Sequence, residues 1–130
     1  EAWMNMFSHM MVGSDDLDKA KTFYDALFTA VGGRAGSMDP NGRLVYVHNG
    51  TAFLVTKPID GEVASCGNGM TIGFAMDSTE QADAWHAAGS AAGGKEIEDP
   101  PGWREGGGQR LYLAYLRDPD GNKLCALHRG

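Results

Sequence analysis

The sequence predicts an α+β protein built of two βαβββ modules that pair into a curled mixed sheet around a cleft. Three observations predict it. One pattern occurs twice: His9-Met10-Met11-Val12, Ser14-Asp15-Asp16 and a run from Ala20 to Ala26, then Thr71-Ile72-Gly73-Phe74, Asp77-Ser78 and a run from Ala82 to Ala88. The copies keep one offset (71 − 9 = 62, 82 − 20 = 62), and both runs end on paired glycines, Gly32-Gly33 and Gly93-Gly94. Short strand-like segments follow each copy, and neither copy is large enough to bury its own apolar face alone. The working surface of such a duplication lies where the copies face each other.

Taken in order, residues 6–12 read as a strand rich in Met, Phe and Val. Ser14 or Asp15 supplies a helix N-cap, with acidic residues in the first turn where the helix dipole favours them. Leu17, Ala20, Phe23, Tyr24, Leu27 and Val31 keep helical spacing up to Gly32-Gly33. A short strand around residues 35–38 precedes the Pro40-Asn41-Gly42 turn, and residues 44–47 and 52–56 form a hairpin across His48-Asn49-Gly50. Asn-Gly is the strongest short hairpin signal, because both residues tolerate positive φ.

The second copy opens with a strand at residues 70–76 and a capping box, Ser78-x-x-Gln81, at its helix start. Residues 96–98 are a short strand. The Gly- and Pro-rich residues 99–108 read as a loop. Residues 111–117 and 123–128 close the module as a hairpin across Asp118-Pro119-Asp120-Gly121. The expected organisation is a single domain over residues 1–130, with one module at about 5–57, a linker at about 58–68 and the second module at about 69–129.

Composition narrows the function classes. At 42% hydrophobic over 130 residues the chain can bury a core. The net charge of −6 and the scattering of eleven Lys and Arg argue against nucleic acid and against an anionic membrane surface. No apolar run approaches the ~20 residues of a membrane span, and no secretory signal pattern stands at the start. Cys66 and Cys125 lack Cys-x-x-Cys spacing, so a reducing, cytoplasmic setting is the simplest expectation.

Two stretches carry a family resemblance. They are His9 followed by Asp15-x-x-Asp18-x-Ala20-x-x-Phe23-Tyr24, and Tyr115-x-Arg117-Asp118-Pro119-Asp120-Gly121-Asn122. Together with the repeat they make the chain resemble the vicinal oxygen chelate superfamily: glyoxalase I, bleomycin-resistance proteins, extradiol dioxygenases and fosfomycin-resistance enzymes. The resemblance runs from about Phe7 to His128. In metal-using members four strand positions supply His and Glu to one divalent ion. The resemblance maps those positions to His9, Thr71, Cys125 and, by aligning Gly50 with Gly121 (121 − 50 = 71), Leu54. Divalent octahedral sites want oxygen and imidazole donors, and Leu donates nothing. The expectation is therefore no metal and no other cofactor.

Each remaining candidate has a functional and a structural reading. His9 shares a strand face with Phe7 and Met11, away from Met10 and Val12. It reads either as a substrate-facing base or as a satisfied core histidine. Cys125 reads as a small buried hydrophobe or as a thiol paired with His9. Tyr46 and Tyr112 line the cleft or simply pack, and the repeat puts Thr71 on the cleft side. Trp103-Arg104 forms a lid with an anion-binding guanidinium, or a surface loop pinned by a buried indole. Asp118 orders its own turn.

Three functions follow from the resemblance and these residues. The first is a glyoxalase/bleomycin-resistance-like binder of a compact, partly apolar molecule between His9, Tyr46, Thr71, Tyr112 and Cys125, with a degenerate metal site. The second is a glyoxalase-type lyase or isomerase using non-standard metal ligands or a Cys–His pair. The third is an interaction module without a ligand. Open sheet edges and the apolar Trp3, Met4 and Met6 predict a homodimer.

Overall fold

The computed structural model describes residues 6–130; Trp3 and Met4 lie outside them. Eleven elements follow in order: β1 (His9–Gly13), α1 (Leu17–Ala30), β2 (Ser37–Met38), β3 (Leu44–His48), β4 (Thr51–Thr56), β5 (Ile72–Ala75), α2 (Thr79–Ala91), β6 (Lys95–Glu96), β7 (Gly102–Gly106), β8 (Gln109–Arg117) and β9 (Lys123–Arg129). The strands form two mixed sheets, ordered β1-β4-β3-β2 and β5-β9-β8-β6, with β7 also on β8. The fold is α+β, as expected, but the described strands make two separate sheets rather than one shared sheet.

The two offsets recur in the pairing register. In the first sheet β1 runs parallel to β4 with Met11 opposite Leu54. In the second, β5 runs parallel to β9 with Gly73 opposite Cys125. These pairs are equivalent under the offsets read from the sequence (73 − 11 = 62, 125 − 54 = 71).

Local chemistry explains most element ends. The N-cap of α1 is Asp16, whose side chain accepts from Asp18 N and Lys19 N. This corrects the expectation of Ser14 or Asp15. Ser14 Oγ instead accepts from Asp16 N, and the Asp15 carboxylate accepts from Ala64 N in the linker. At α2, Ser78 Oγ accepts from Gln81 N while the Gln81 carboxamide reaches back to Asp77 N. Asn49 and Gly50, at φ 50° and 79°, form the tight β3–β4 turn.

A further correction concerns residues 99–108. Part of this stretch is β7, antiparallel to β8 from Gly102 opposite Leu113 to Gly106 opposite Gln109. Gly107 and Gly108, at φ 56° and 76°, close a two-residue hairpin. An edge strand tolerates the composition because only one side must hydrogen-bond. β6 and β7 both pair with β8, at opposite ends of it, so they act as one interrupted edge strand and the βαβββ order survives.

The core lies between the sheets and the helices. Ala20, Phe23, Tyr24, Leu27 and Phe28 make the buried stripe of α1, and Ala82, Trp85 and Gly89 belong to that of α2. Each large apolar side chain buried here contributes roughly 1.5–3 kcal/mol. The helices meet at Gly89. A Cβ there would lie 2.8 Å from Leu27 Cδ2 and 2.4 Å from Leu116 Cδ1. Leu27 is the position equivalent to Gly89 (89 − 27 = 62), so one copy supplies the knob and the other the space for it.

One junction between the copies is sealed by polar groups. Tyr24 in α1 donates to Asp118 Oδ2 at 2.6 Å across the junction. Asp118 Oδ1 accepts from Asp120 N and Asn122 N, and Asn122 Nδ2 donates to Asp118 Oδ2 and to Gly13 O. Burial, and then the Asp118 charge, hold the Tyr24 hydroxyl well above the ordinary tyrosine range, so it stays a donor. Among the described residues no helix is long and apolar enough to cross a membrane.

Candidate functional site

Each sheet turns one face to its helix and leaves the other open. On β1, Met10 and Val12 pack inward while His9 and Met11 are exposed. Thr71 is exposed just before β5, and Gly73 and Ala75 are exposed on it. Cys125 shares the open-face parity of its partners Gly73 and Tyr115, yet is itself buried.

The donors at the four family positions do not suit a divalent ion. Leu54 has none, and Thr71 offers a neutral hydroxyl. The Cys125 thiol is pushed up by burial, with the Tyr115 hydroxyl beside it pulling the other way. Burial thus works against the thiolate that a metal ligand must be. Among the described residues no three His, Cys, Asp or Glu side chains gather as a metal-holding group.

Among the described residues no hydrogen bond joins His9 to Cys125. His9 Nδ1 meets Ser8 Oγ at 2.7 Å, while the Cys125 thiol donates to Ala126 O at 3.5 Å. Two other sequence candidates face the helices. Tyr46 is buried against Phe28, stacked at 4.6 Å, and donates to Asp25 Oδ1 at 2.7 Å. Tyr112 donates to Asp83 Oδ1 on α2 and packs edge-on against Trp103. Arg104 donates to four backbone carbonyls, those of Asp99, Pro100, Gly102 and Leu113. Its guanidinium is thus committed to pinning β7, and Arg110 rather than Arg104 stacks on the Trp103 ring.

A cavity of about 350 Å³ opens between the copies. Four rings line it: Phe28 from α1, Phe53 from β4, Phe74 from β5 and Trp85 from α2. Phe74 bridges the modules, with ring centroids 5.9 Å from Phe28, 5.5 Å from Phe53 and 6.1 Å from Trp85. Ala52 on β4 and Gly73 and Ala75 on β5 also line it, and His48, Asn49, Thr51 and Gln81 supply the polar lining. Gln81 is already engaged with Asp77 N and Val31 O. His48, half-buried, sits edge-on to Phe28 at 6.2 Å.

Sequence reasoning missed this cavity because its walls are aromatic and aliphatic residues that read as ordinary core. The one available signal was the repeat. Where the second copy has Asp118-Pro119-Asp120-Gly121-Asn122, the first has Val47-His48-Asn49-Gly50-Thr51 (118 − 47 = 71), and the sealing carboxylate is replaced by valine.

Two helices behind two open mixed sheets, repeated with one register, define the fold class. Residues 6–126 match the profile of the Glyoxalase/Bleomycin resistance protein/Dioxygenase superfamily. The chain belongs to that superfamily. It is similar to a glyoxalase/bleomycin resistance protein from Albidiferax ferrireducens T118, whose crystal structure superposes with a TM-score of 0.92 at 54% identity, covering 96% of this chain and 100% of that one. A lactoylglutathione lyase from Agrobacterium tumefaciens shares the fold at 20% identity and a TM-score of 0.67, covering 96% of this chain and 94% of that one. A glyoxalase-related enzyme from Fulvimarina pelagi does so at 20% identity and 0.70, covering 96% and 88%. No curated protein matches the chain.

Proposed function

We propose that this protein binds a small molecule in the cavity between its modules, and that binding needs no divalent ion. The observation that carries the reading is the cavity itself. It is apolar, about 350 Å³ in volume, and walled by both copies. Ligand pockets are concave, mostly apolar and furnished with a few polar groups, and this volume sits at the small end of their range. The resistance-protein name of the Albidiferax ferrireducens relative agrees with a binder. A glyoxalase-type lyase would need donors that Leu54 and Thr71 do not supply. A Cys125–His9 pair is no part of this reading, because burial keeps the thiol protonated and Ala126 O holds it.

The test is a thermal-shift screen of aromatic antibiotics, glutathione conjugates and neutral aromatics, with and without chelator. The expected hits raise the melting temperature equally in both conditions. A shift that disappears with chelator would sink the metal-free reading.

The reading includes a homodimer in a cytoplasmic setting. Met6, Phe7, Met11, Met38 and Val47 are exposed, apolar surface that a second copy would bury. Both cysteines are free, as a reducing compartment would keep them. Light scattering should return twice the chain mass, and a monomer at high concentration would remove the dimer.

A further inference from the structure

We infer that the inter-module cavity selects neutral, planar aromatic molecules carrying a hydrogen-bond acceptor, and rejects carboxylates and glutathione adducts. This rests on the proposed function, since it specifies the ligand of the same cavity.

Charge is the first argument. None of the described residues lining the cavity is Lys, Arg, Asp or Glu. Arg104, the cation singled out from the sequence, is spent on backbone carbonyls elsewhere. The chain as a whole is negative, at −6. An anion entering this space would give up its hydration with no Lys or Arg to replace it and only the half-buried His48 ring to offer an N–H, which is unfavourable in an apolar site.

Shape is the second. Four rings on four different elements border the space, and Phe74 lies edge-on or tilted to its three neighbours. Such walls offer a flat guest both ring faces and ring edges. An aliphatic guest would gain only its area.

Polarity is the third. Trp85 is 1% exposed, and its indole N–H has no hydrogen-bond partner among the described residues. Nor is that nitrogen among the fully sealed unpartnered atoms, where Ser90 Oγ stands alone among the described residues. Trp85 lines the cavity. Indole only donates, so the group it would meet is an acceptor such as a carbonyl, ether or ring nitrogen. Gln81 already spends its carboxamide oxygen on Asp77 N and one of its two N–H groups on Val31 O.

Three probes with one ring system test this by calorimetry: 2-acetylnaphthalene, naphthalene and 2-naphthoate. The expected order is acetylnaphthalene tighter than naphthalene by about fivefold, the gain of one hydrogen bond, with the naphthoate at least about tenfold weaker than either. Trp85→Phe keeps a ring in the wall and removes the donor. It should bring acetylnaphthalene down to naphthalene while leaving naphthalene within about twofold. Ala75→Phe, at an exposed strand position beside the cavity, should block all three probes with the melting temperature unchanged.

Tightest binding of the naphthoate, blocked by Ala75→Phe, would overturn the neutral-ligand inference and leave the cavity reading standing. Equal loss of all probes in a folded Trp85→Phe would overturn the acceptor. No binding of any probe by the folded wild type would overturn the aromatic class. Binding that survives Ala75→Phe would place the ligand elsewhere and end the cavity reading as well.

Discussion

The two junctions between the copies are equivalent by the repeat and opposite in chemistry. At one, the 118–122 turn presents Asp118 and Asn122, and Tyr24 and Gly13 O close upon them. At the other, the equivalent turn presents Val47 and Thr51 (122 − 51 = 71), and a cavity remains. The residue equivalent to Tyr24 is His86 (86 − 24 = 62), which faces Glu96 at 3.8 Å instead of reaching a turn. A buried carboxylate must collect donors from every side, so it draws its junction shut. Val47 makes no such demand: it is exposed and is no part of the cavity wall, which the four rings form. Two junctions equivalent by the repeat thus differ: one is sealed by polar groups and the other encloses a cavity.

Breaking the seal should have the largest effect. Asp118→Ala strands Tyr24, Asn122 and two turn amides in a region where Asp118 is 4% exposed. It should cost about 3 kcal/mol or more, read as a lower midpoint in chemical denaturation. An unchanged midpoint would show that the seal does not hold the copies together.

Making the helices alike at their crossing comes next. Gly89→Ala places a Cβ 2.4 Å from Leu116 and 2.8 Å from Leu27. Overpacking there should cost roughly 1–3 kcal/mol, more than the ~1 kcal/mol that alanine gains over glycine in a helix. A stabilised Gly89→Ala would mean that the helices separate freely.

A smaller effect sharpens the contrast within each copy. Asp25 ties α1 to the sheet by accepting from Gly36 N and Tyr46, with Lys21 alongside at 2.6 Å. The equivalent residue in α2 is Ala87 (87 − 25 = 62). Burial alone would raise the Asp25 pKa, but the hydrogen bonds from Lys21, Gly36 and Tyr46 outweigh it and hold it below the ordinary carboxylate value. A depressed folded pKa means stability that is fully present above the unfolded value, about 3.9, and is lost as pH falls through the folded one. Asp25→Asn should flatten the acid limb of stability against pH, and the same slope in both proteins would discount the tie. The smallest effect is expected for His9→Ala. An exposed ring bonded, among the described residues, only to Ser8 should leave the melting temperature within about 2 °C.

Much of the fold was legible because it is written in local chemistry and repetition. The offsets foretold the strand register, and Asn49-Gly50, Ser78-x-x-Gln81 and the 118–122 turn appear where their residue types place them. β7 was hidden by its composition, although Gly107-Gly108 before residues 109–117 is a hairpin signal. The site was harder to read. Tyr46 stands between Val45 and Val47, so alternation does not say which face is buried, and only Asp25 on α1 decides it. Arg104 resembles an anion binder until its four carbonyl partners are seen.

The sequence by itself determined the superfamily, the two-copy architecture and the poverty of metal donors at His9, Leu54, Thr71 and Cys125. Each of these depends on residue identity at a fixed spacing, which a linear chain displays. Only the tertiary structure decided that the strands form two sheets, that Cys125 is buried, and that Phe28, Phe53, Phe74 and Trp85 surround a space instead of filling it. Whether apolar residues pack to density or leave a cavity depends on the distance between backbones that are far apart in sequence. Here that distance is set by α1 meeting α2 over Gly89 and by a seal at one junction that its counterpart lacks.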